Sequence, residues 1–155
     1  MFKQKLYLMV GVPASGKSTF AQQISEENNH IHIFSSDRLR GFFGKDEEDQ
    51  SVTKQVFDYI EDSVESYFCE TNFSPLIDAT NINKKLRSRF IDIAKKYNKE
   101  VIVYYFPISL ARALKRNQQR ERKVPEFVIK KMIDSLDEPC YSEGINQILI
   151  LKENV

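Results

Sequence analysis

The peptide Gly11-Val12-Pro13-Ala14-Ser15-Gly16-Lys17-Ser18-Thr19 follows a short apolar run, Lys5 to Val10, and precedes a segment of helical composition, Ser18 to about Asn28. Strand, glycine-rich turn and helix in that order match the phosphate-binding loop pattern Gly-x-x-x-x-Gly-Lys-Ser/Thr. The residue types follow from what such a loop must do. Glycines let successive backbone N–H groups turn toward phosphate oxygens, and the helix presents its positive end to the same anion. A lysine at position 17 can bridge outer phosphates, and the Ser18 hydroxyl can ligate Mg²⁺. The alternative is a glycine-rich turn with a surface lysine.

Outward from the loop, short apolar runs alternate with helical patterns. His30 to Phe34 reads as a second strand, closed by the polar turn Ser35-Ser36-Asp37. Apolar residues at Val56, Tyr59, Ile60, Val64, Tyr67 and Phe68 form a helical stripe, with Ser51 as its expected N-cap. Pro75 to Ile77 is a very short strand, and Lys84 to Tyr97 is a helix with Leu86, Phe90, Ile93 and Ala94 on one side. Val101 to Phe106 is a strand, Ser109 caps a basic helix, Pro125 opens another, and Gln147 to Leu151 is the last strand. About five strands separated by helices predict an α/β fold, a parallel sheet with helices on both faces. Ligands of such sheets sit beyond the carboxyl ends of the strands, which directs attention to Gly11 onward, Ser35 to Arg40, Asp78 to Asn81, and Ser109 onward.

The 155 residues fit a single domain, residues 1–155. A hydrophobic content of 41% excludes disorder, and no apolar run reaches the roughly 18–20 residues that cross a bilayer. The expectation is a cytoplasmic protein without a membrane partner. Cys69 and Cys140 suit neither a disulfide framework nor a zinc site. His30 and His32, on one face of a strand, have no carboxylate or cysteine at ligand spacing and read as packing residues.

The net charge of +1 conceals segregation: residues 46–70 carry nine acids against Lys54, while 84–99 and 111–131 each sum to +6. That asymmetry suggests one face that meets anions and another that is solvated. The alternative is the wet faces of amphipathic helices.

Two further signals qualify the loop. In Ser35-Ser36-Asp37-Arg38-Leu39-Arg40 an acid at a strand end is followed by bases one and three residues later. Such a carboxylate can accept a proton from an attacking hydroxyl, and an arginine one turn on can hold an anionic acceptor. An aspartate that merely caps the next helix is the competing reading. In Arg116-Asn117-Gln118-Gln119-Arg120-Glu121-Arg122, positions 116 and 120 share a helix face with Arg122 just beyond. Arginines converging on a triphosphate would neutralise charge on the group in transit. An arginine-rich helix alone is more often simply solvated.

Taken together, the loop, Ser35-Ser36-Asp37-x-x-Arg40, Asp49-Gln50-Ser51-Val52-Thr53, Asp78-Ala79-Thr80-Asn81 and Arg116-Asn-x-x-Arg120 resemble the 5′-hydroxyl polynucleotide kinase family. The similarity runs in order from Leu6 to about Ile150 and is greatest to the kinase domain of bacterial polynucleotide kinase-phosphatases, with the phage enzymes next. The resemblance implies a P-loop kinase domain with an arginine-rich helical lid. It implies ATP or another nucleoside triphosphate as donor, Mg²⁺ as metal, and the 5′-hydroxyl end of DNA or RNA as acceptor. Gly11, Pro13, Ala14, Ser15, Gly16, Lys17, Ser18 and Thr19 would form the donor site, with Ser18 on the metal. Asp37 would be the general base, Arg40 would hold the acceptor phosphate, and Arg116, Arg120 and Arg122 would be lid arginines on the donor phosphates. The resemblance also puts Asp78 and Asn81 near metal and acceptor, and makes Gln50 and Val52 candidates for contact with the terminal nucleotide, the alternative for that pair being a helix N-terminus with a core valine.

No Asp-x-Asp-x-Thr phosphatase signature occurs, so end processing would need a separate phosphatase or ligase. Two rival functions stay open: a P-loop kinase of a small alcohol such as a nucleoside or sugar, and a nucleotide-dependent binding module with no acceptor. Asp37 with Arg40 speaks against the latter, since a switch needs no acceptor base.

Overall fold

The computed structural model describes residues 3–152. Strands β1 (Lys5–Val10), β2 (Ile31–Ser35), β3 (Ser74–Asp78), β4 (Glu100–Tyr105) and β5 (Gln147–Ile150) form one parallel sheet in the order β2-β3-β1-β4-β5. The helices are α1 (Lys17–Glu27), α2 (Ser36–Phe43), α3 (Thr53–Glu70), α4 (Lys84–Lys96), α5 (Leu110–Gln118) and α6 (Glu126–Ser135). The chain leaves β1 toward β2 on one side and returns from β3 to β4 on the other. The crevice for a ligand therefore opens at the carboxyl end of β1.

Period-two alternation divides the apolar residues between the two faces of the sheet. From β1, Leu6, Leu8 and Val10 join the core that Val56, Ile60 and Val64 of α3 and Phe90 and Ala94 of α4 complete. Met9 joins Ala21 of α1, Leu76 and Ile102 on the opposite face. A third, smaller cluster of Val12, Ala113 and Ile129 anchors the phosphate loop beneath α5 and α6. The expected α/β architecture with both faces covered is thus the observed one.

Several local expectations change. The polar turn after β2 is the start of α2, and its cap is Ser35, whose side chain accepts the Arg38 N–H. Asp49, not Ser51, caps the turn that leads into α3, because its carboxylate accepts both Ser51 N–H and Ser51 Oγ–H. Tyr59 lies on the exposed side of α3. On α4 the buried positions are Arg87, Phe90, Ile91 and Ala94, so Leu86 and Ile93 flank the stripe instead of forming it. His32 stacks on Phe73 at 4.0 Å and shares a hydrogen bond with Tyr67, as a packing residue does.

The segregated charges face one another. Arg89 of α4 pairs with Asp58 and Glu61 of α3, and Lys96 reaches Glu65 at 2.5 Å. Two oppositely charged helices packed side by side account for part of the asymmetry between residues 46–70 and 84–99. The charges of Arg89 and Lys96 are thereby matched within the protein.

Candidate active site

Two backbone requirements shape the loop after β1. Gly16 has φ of 100°, which an L side chain rarely adopts, and it starts α1. A Cβ on Gly11 would lie 2.7 Å from Ser15 Oγ and 3.1 Å from Phe106 Cβ, so only glycine fits there. Gly11 N–H donates to Thr80 O, which joins the loop to the turn after β3. Lys17 lies across the loop with Nζ donating to Val12 O at 2.8 Å. Burial lowers its ammonium pKa to about 8, against the pull of Asp78 and Asp37 and with a smaller push from Arg120.

Ser18 Oγ donates to Asp78 Oδ2 at 2.9 Å. Burial pushes the Asp78 carboxyl above the usual carboxylate range, although the Lys17 charge and the Ser18 hydroxyl oppose the shift. A hydroxyl and a buried carboxylate make a hard-oxygen pair suited to Mg²⁺, which keeps most of its ligands as water and phosphate. Among the described residues no cluster of three His, Cys, Asp or Glu offers a denser metal site.

Asp37 stands in the first turn of α2, and because Ser35 supplies the cap its carboxylate is not spent on the helix terminus. It accepts from Arg40 Nη1 at 2.8 Å and from Arg122 Nη2 at 2.5 Å. Arg40 is nearly buried, with a side-chain exposure of 12%, and its Nε has no partner among the described residues. The same holds for Arg120 Nη1. An unpaired buried guanidinium N–H is costly in isolation and is satisfied by an incoming anion.

A cavity of about 840 Å³ joins these elements. Pro13, Ala14 and Gly16 to Thr19 of the loop, Asp37 and Arg40, Asp78, and the lid residues Arg116, Arg120 and Arg122 all face it, as do Gln50, Phe57 and Met132. Arg116 Nη1 donates to Ala14 O, which lays the side chain against the loop. Four expected positions do not reach the cavity wall, the first being Gly11, which is packed against Phe106 and Ser15. Val52 packs against the core, Ser15 Oγ is buried behind Gly11, and Asn81 is buried with its amide donating to Met9 O at 2.8 Å. Arg116 and Arg120 also do not share a helix face, since α5 ends at Gln118. Asn117 stops it by exchanging two hydrogen bonds with the Val124 backbone, and Arg120 follows in the turn. Sequence reasoning missed Glu47, which pairs with Arg122, and the apolar wall of Phe57 and Met132. A lone acid within an acidic run and two ordinary helix residues carry no local signal.

A family model described as AAA domain matches residues 6–139, and the chain belongs to that family; its fold is that of the P-loop kinases. The L-seryl-tRNA(Sec) kinase of Methanococcus maripaludis is 30% identical over 96% of this chain and 66% of the relative, so the chain spans just under two thirds of that protein's length. Among solved structures, a chain of the Pnkp1/Rnl/Hen1 RNA repair complex superposes with a TM-score of 0.75 at 23% identity, covering 88% of this chain and 45% of that one. Chaetomium thermophilum Kti12 in complex with ADP-AlF3 superposes with a TM-score of 0.76 at 17% identity, covering 95% and 88%. At these identities the structural likenesses speak for the fold.

Proposed function

We propose that this protein transfers the γ-phosphate of ATP or another nucleoside triphosphate to the 5′-hydroxyl end of a DNA or RNA strand. The observation that carries the reading is the pairing of Asp37 with Arg40 in the wall that also holds Lys17. It sets a carboxylate free of capping duty beside a buried guanidinium with an unpaired N–H. A base for an alcohol and a donor for a neighbouring phosphate are what a polynucleotide end requires and a free sugar does not.

In the proposed reaction the loop amides and Lys17 hold the β- and γ-phosphates. The acceptor hydroxyl gives its proton to Asp37 as its oxygen bonds the γ-phosphorus. The bond from that phosphorus to the β–γ bridging oxygen breaks, and nucleoside diphosphate leaves. Arg116 and Arg120 face the cavity from the lid side and neutralise the equatorial charge. Ser18 and Asp78 would hold Mg²⁺, which screens the β- and γ-phosphate charge when bound. Arg40 and Arg122 each take one site on the Asp37 carboxylate, and a remaining lone pair takes the proton. End healing on this reading calls for a phosphatase or ligase outside these residues.

A second reading, a seryl hydroxyl carried on tRNA as the acceptor, is favoured by the 30% identity to the archaeal kinase. It uses the same base and differs in what Arg40 meets. Label transfer from [γ-³²P]ATP to a 5′-hydroxyl oligonucleotide, seryl-tRNA, a nucleoside and a sugar separates the readings. The proposal expects the oligonucleotide to be labelled at its 5′ end. Labelling of seryl-tRNA alone establishes the second reading, and labelling of the small alcohols alone overturns both.

A further inference from the structure

Arg87 is fully buried on α4 and lies outside the cavity wall. Its guanidinium makes three hydrogen bonds: Nε and Nη2 fork onto the two Glu143 oxygens at 2.8 and 3.0 Å, and Nη1 donates to Asn81 O at 2.8 Å. Glu143 is itself nearly buried and is fixed from its other side by the Cys140 N–H. Asn81 has φ of 46°, the left-handed region, and its side chain donates to Met9 O. One residue earlier, Thr80 O accepts from Gly11 N–H. The turn Asp78-Ala79-Thr80-Asn81 is therefore fastened to β1 and the phosphate loop on one side and to Arg87 on the other. Asp78, at the head of that turn, meets Ser18.

Desolvating an arginine is expensive, and replacing a buried ion pair with apolar residues of similar volume is often neutral or stabilising. Stability alone thus does not require Arg87. What an apolar residue cannot do is hold Asn81 O in a backbone conformation that only a minority of residues adopt.

We infer that Arg87, through its hydrogen bond to Asn81 O, is a positioning residue that sets Asp78 opposite Ser18 for the metal of the bound nucleotide. The inference rests on the nucleotide reading proposed above and is independent of which alcohol is the acceptor. Groups that orient metal ligands without touching the metal typically carry about 10–100-fold in metal affinity or activity. Arg87 acts on the metal-dependent part of nucleotide binding, because the loop's hold on phosphate comes from its own backbone and Lys17.

The test is the affinity for ATP measured by calorimetry with Mg²⁺ and with EDTA, on wild type, Arg87→Lys, Glu143→Gln and Arg89→Lys. Arg89, also on α4, is paired with two carboxylates of α3, Asp58 and Glu61, away from the site. The proposal expects the Mg²⁺ enhancement of ATP affinity to fall about tenfold or more in Arg87→Lys and by less in Glu143→Gln. Metal-free affinity stays within about twofold, and Arg89→Lys matches wild type. A folded Arg87→Lys that keeps the wild-type enhancement overturns it, as does an equal loss in Arg89→Lys. Should Arg87→Lys fail to fold, a folded Glu143→Gln with unchanged enhancement overturns it as well. Wild-type protein that binds ATP equally with and without Mg²⁺ fails at the earlier step and overturns the nucleotide–metal reading together with this one.

Discussion

Arg122, four residues past the end of α5, donates to Asp37 at 2.5 Å while its Nε lies 3.4 Å from Glu47, so a lid guanidinium is held by the carboxylate proposed as base. The two side chains are 27% and 42% exposed, and a pair so open to water contributes only about 0–1 kcal/mol to stability. Arg122→Ala is therefore expected to leave the melting temperature nearly unchanged. On the proposal that Arg122 is a lid arginine on the donor phosphates, transfer should fall by about 10²-fold. Thermal melts and steady-state kinetics check both halves. A large loss of stability with normal turnover contradicts the lid role.

Lys17 gives a pH-dependent prediction. Its pKa in the folded protein is about 8, below the ordinary 10.5, because burial disfavours the charged form. At pH 8 about half of the lysines are neutral, and triphosphate oxygens favour the ammonium. ATP binding at that pH should therefore take up about half a proton, with less uptake at pH 7, where the lysine is already mostly charged. Calorimetry in two buffers of different ionisation enthalpy reads the number directly. Lys17→Met should remove the uptake and abolish transfer while staying folded; proton release in the wild type would contradict the assignment.

Arg40→Ala is expected to raise KM for an oligonucleotide much more than KM for ATP, since on the proposed reading its unpaired N–H meets the acceptor phosphate. A 3′-mononucleotide should be a better acceptor than the bare nucleoside for wild type, and the substitution should erase that advantage. Kinetics with the three acceptors decide the matter. Equal use of nucleoside and mononucleotide by the wild type favours a small-alcohol kinase.

The α3–α4 ion pairs make a negative prediction. Because Arg89 and Lys96 are neutralised by Asp58, Glu61 and Glu65, changing either to Gln should leave oligonucleotide affinity within about twofold. Binding should weaken with salt by a slope of about 0.7 per phosphate contacted, set by the arginines of the cavity. Titrations at two salt concentrations test this, and an order-of-magnitude loss in the α4 variants would restore that helix as an anion-binding face.

Much of this was legible before any coordinates. The strand–glycine–helix order around Gly11 to Thr19 imposes a parallel α/β fold, and the apolar runs placed all five strands. What local pattern could not show were contacts made across the chain. Arg87 looks like one base among seven in residues 84–99, yet Glu143 and Asn81 O take it into the core. Ser51 satisfies the cap rule, but its own N–H and hydroxyl are both given to Asp49, which is the cap. The spacing of Arg116 and Arg120 predicted a shared helix face, whereas Asn117 and Val124 end the helix between them. For Val52 the plain alternative of a core valine is the one observed, whereas nothing local to Asn81 shows that its amide N–H reaches back to Met9 O.

The central claim is that Asp37 removes the acceptor proton across the cavity from Lys17, and Asp37→Asn tests it most directly. Single-turnover transfer from [γ-³²P]ATP to a 5′-hydroxyl oligonucleotide would be measured beside ATP affinity for the same variant. The expected result is a loss of about 10²–10⁴-fold in transfer with ATP binding nearly intact, since only the base is removed. Near-normal transfer, or a collapse of ATP affinity that assigns the carboxylate to the donor side, would contradict it.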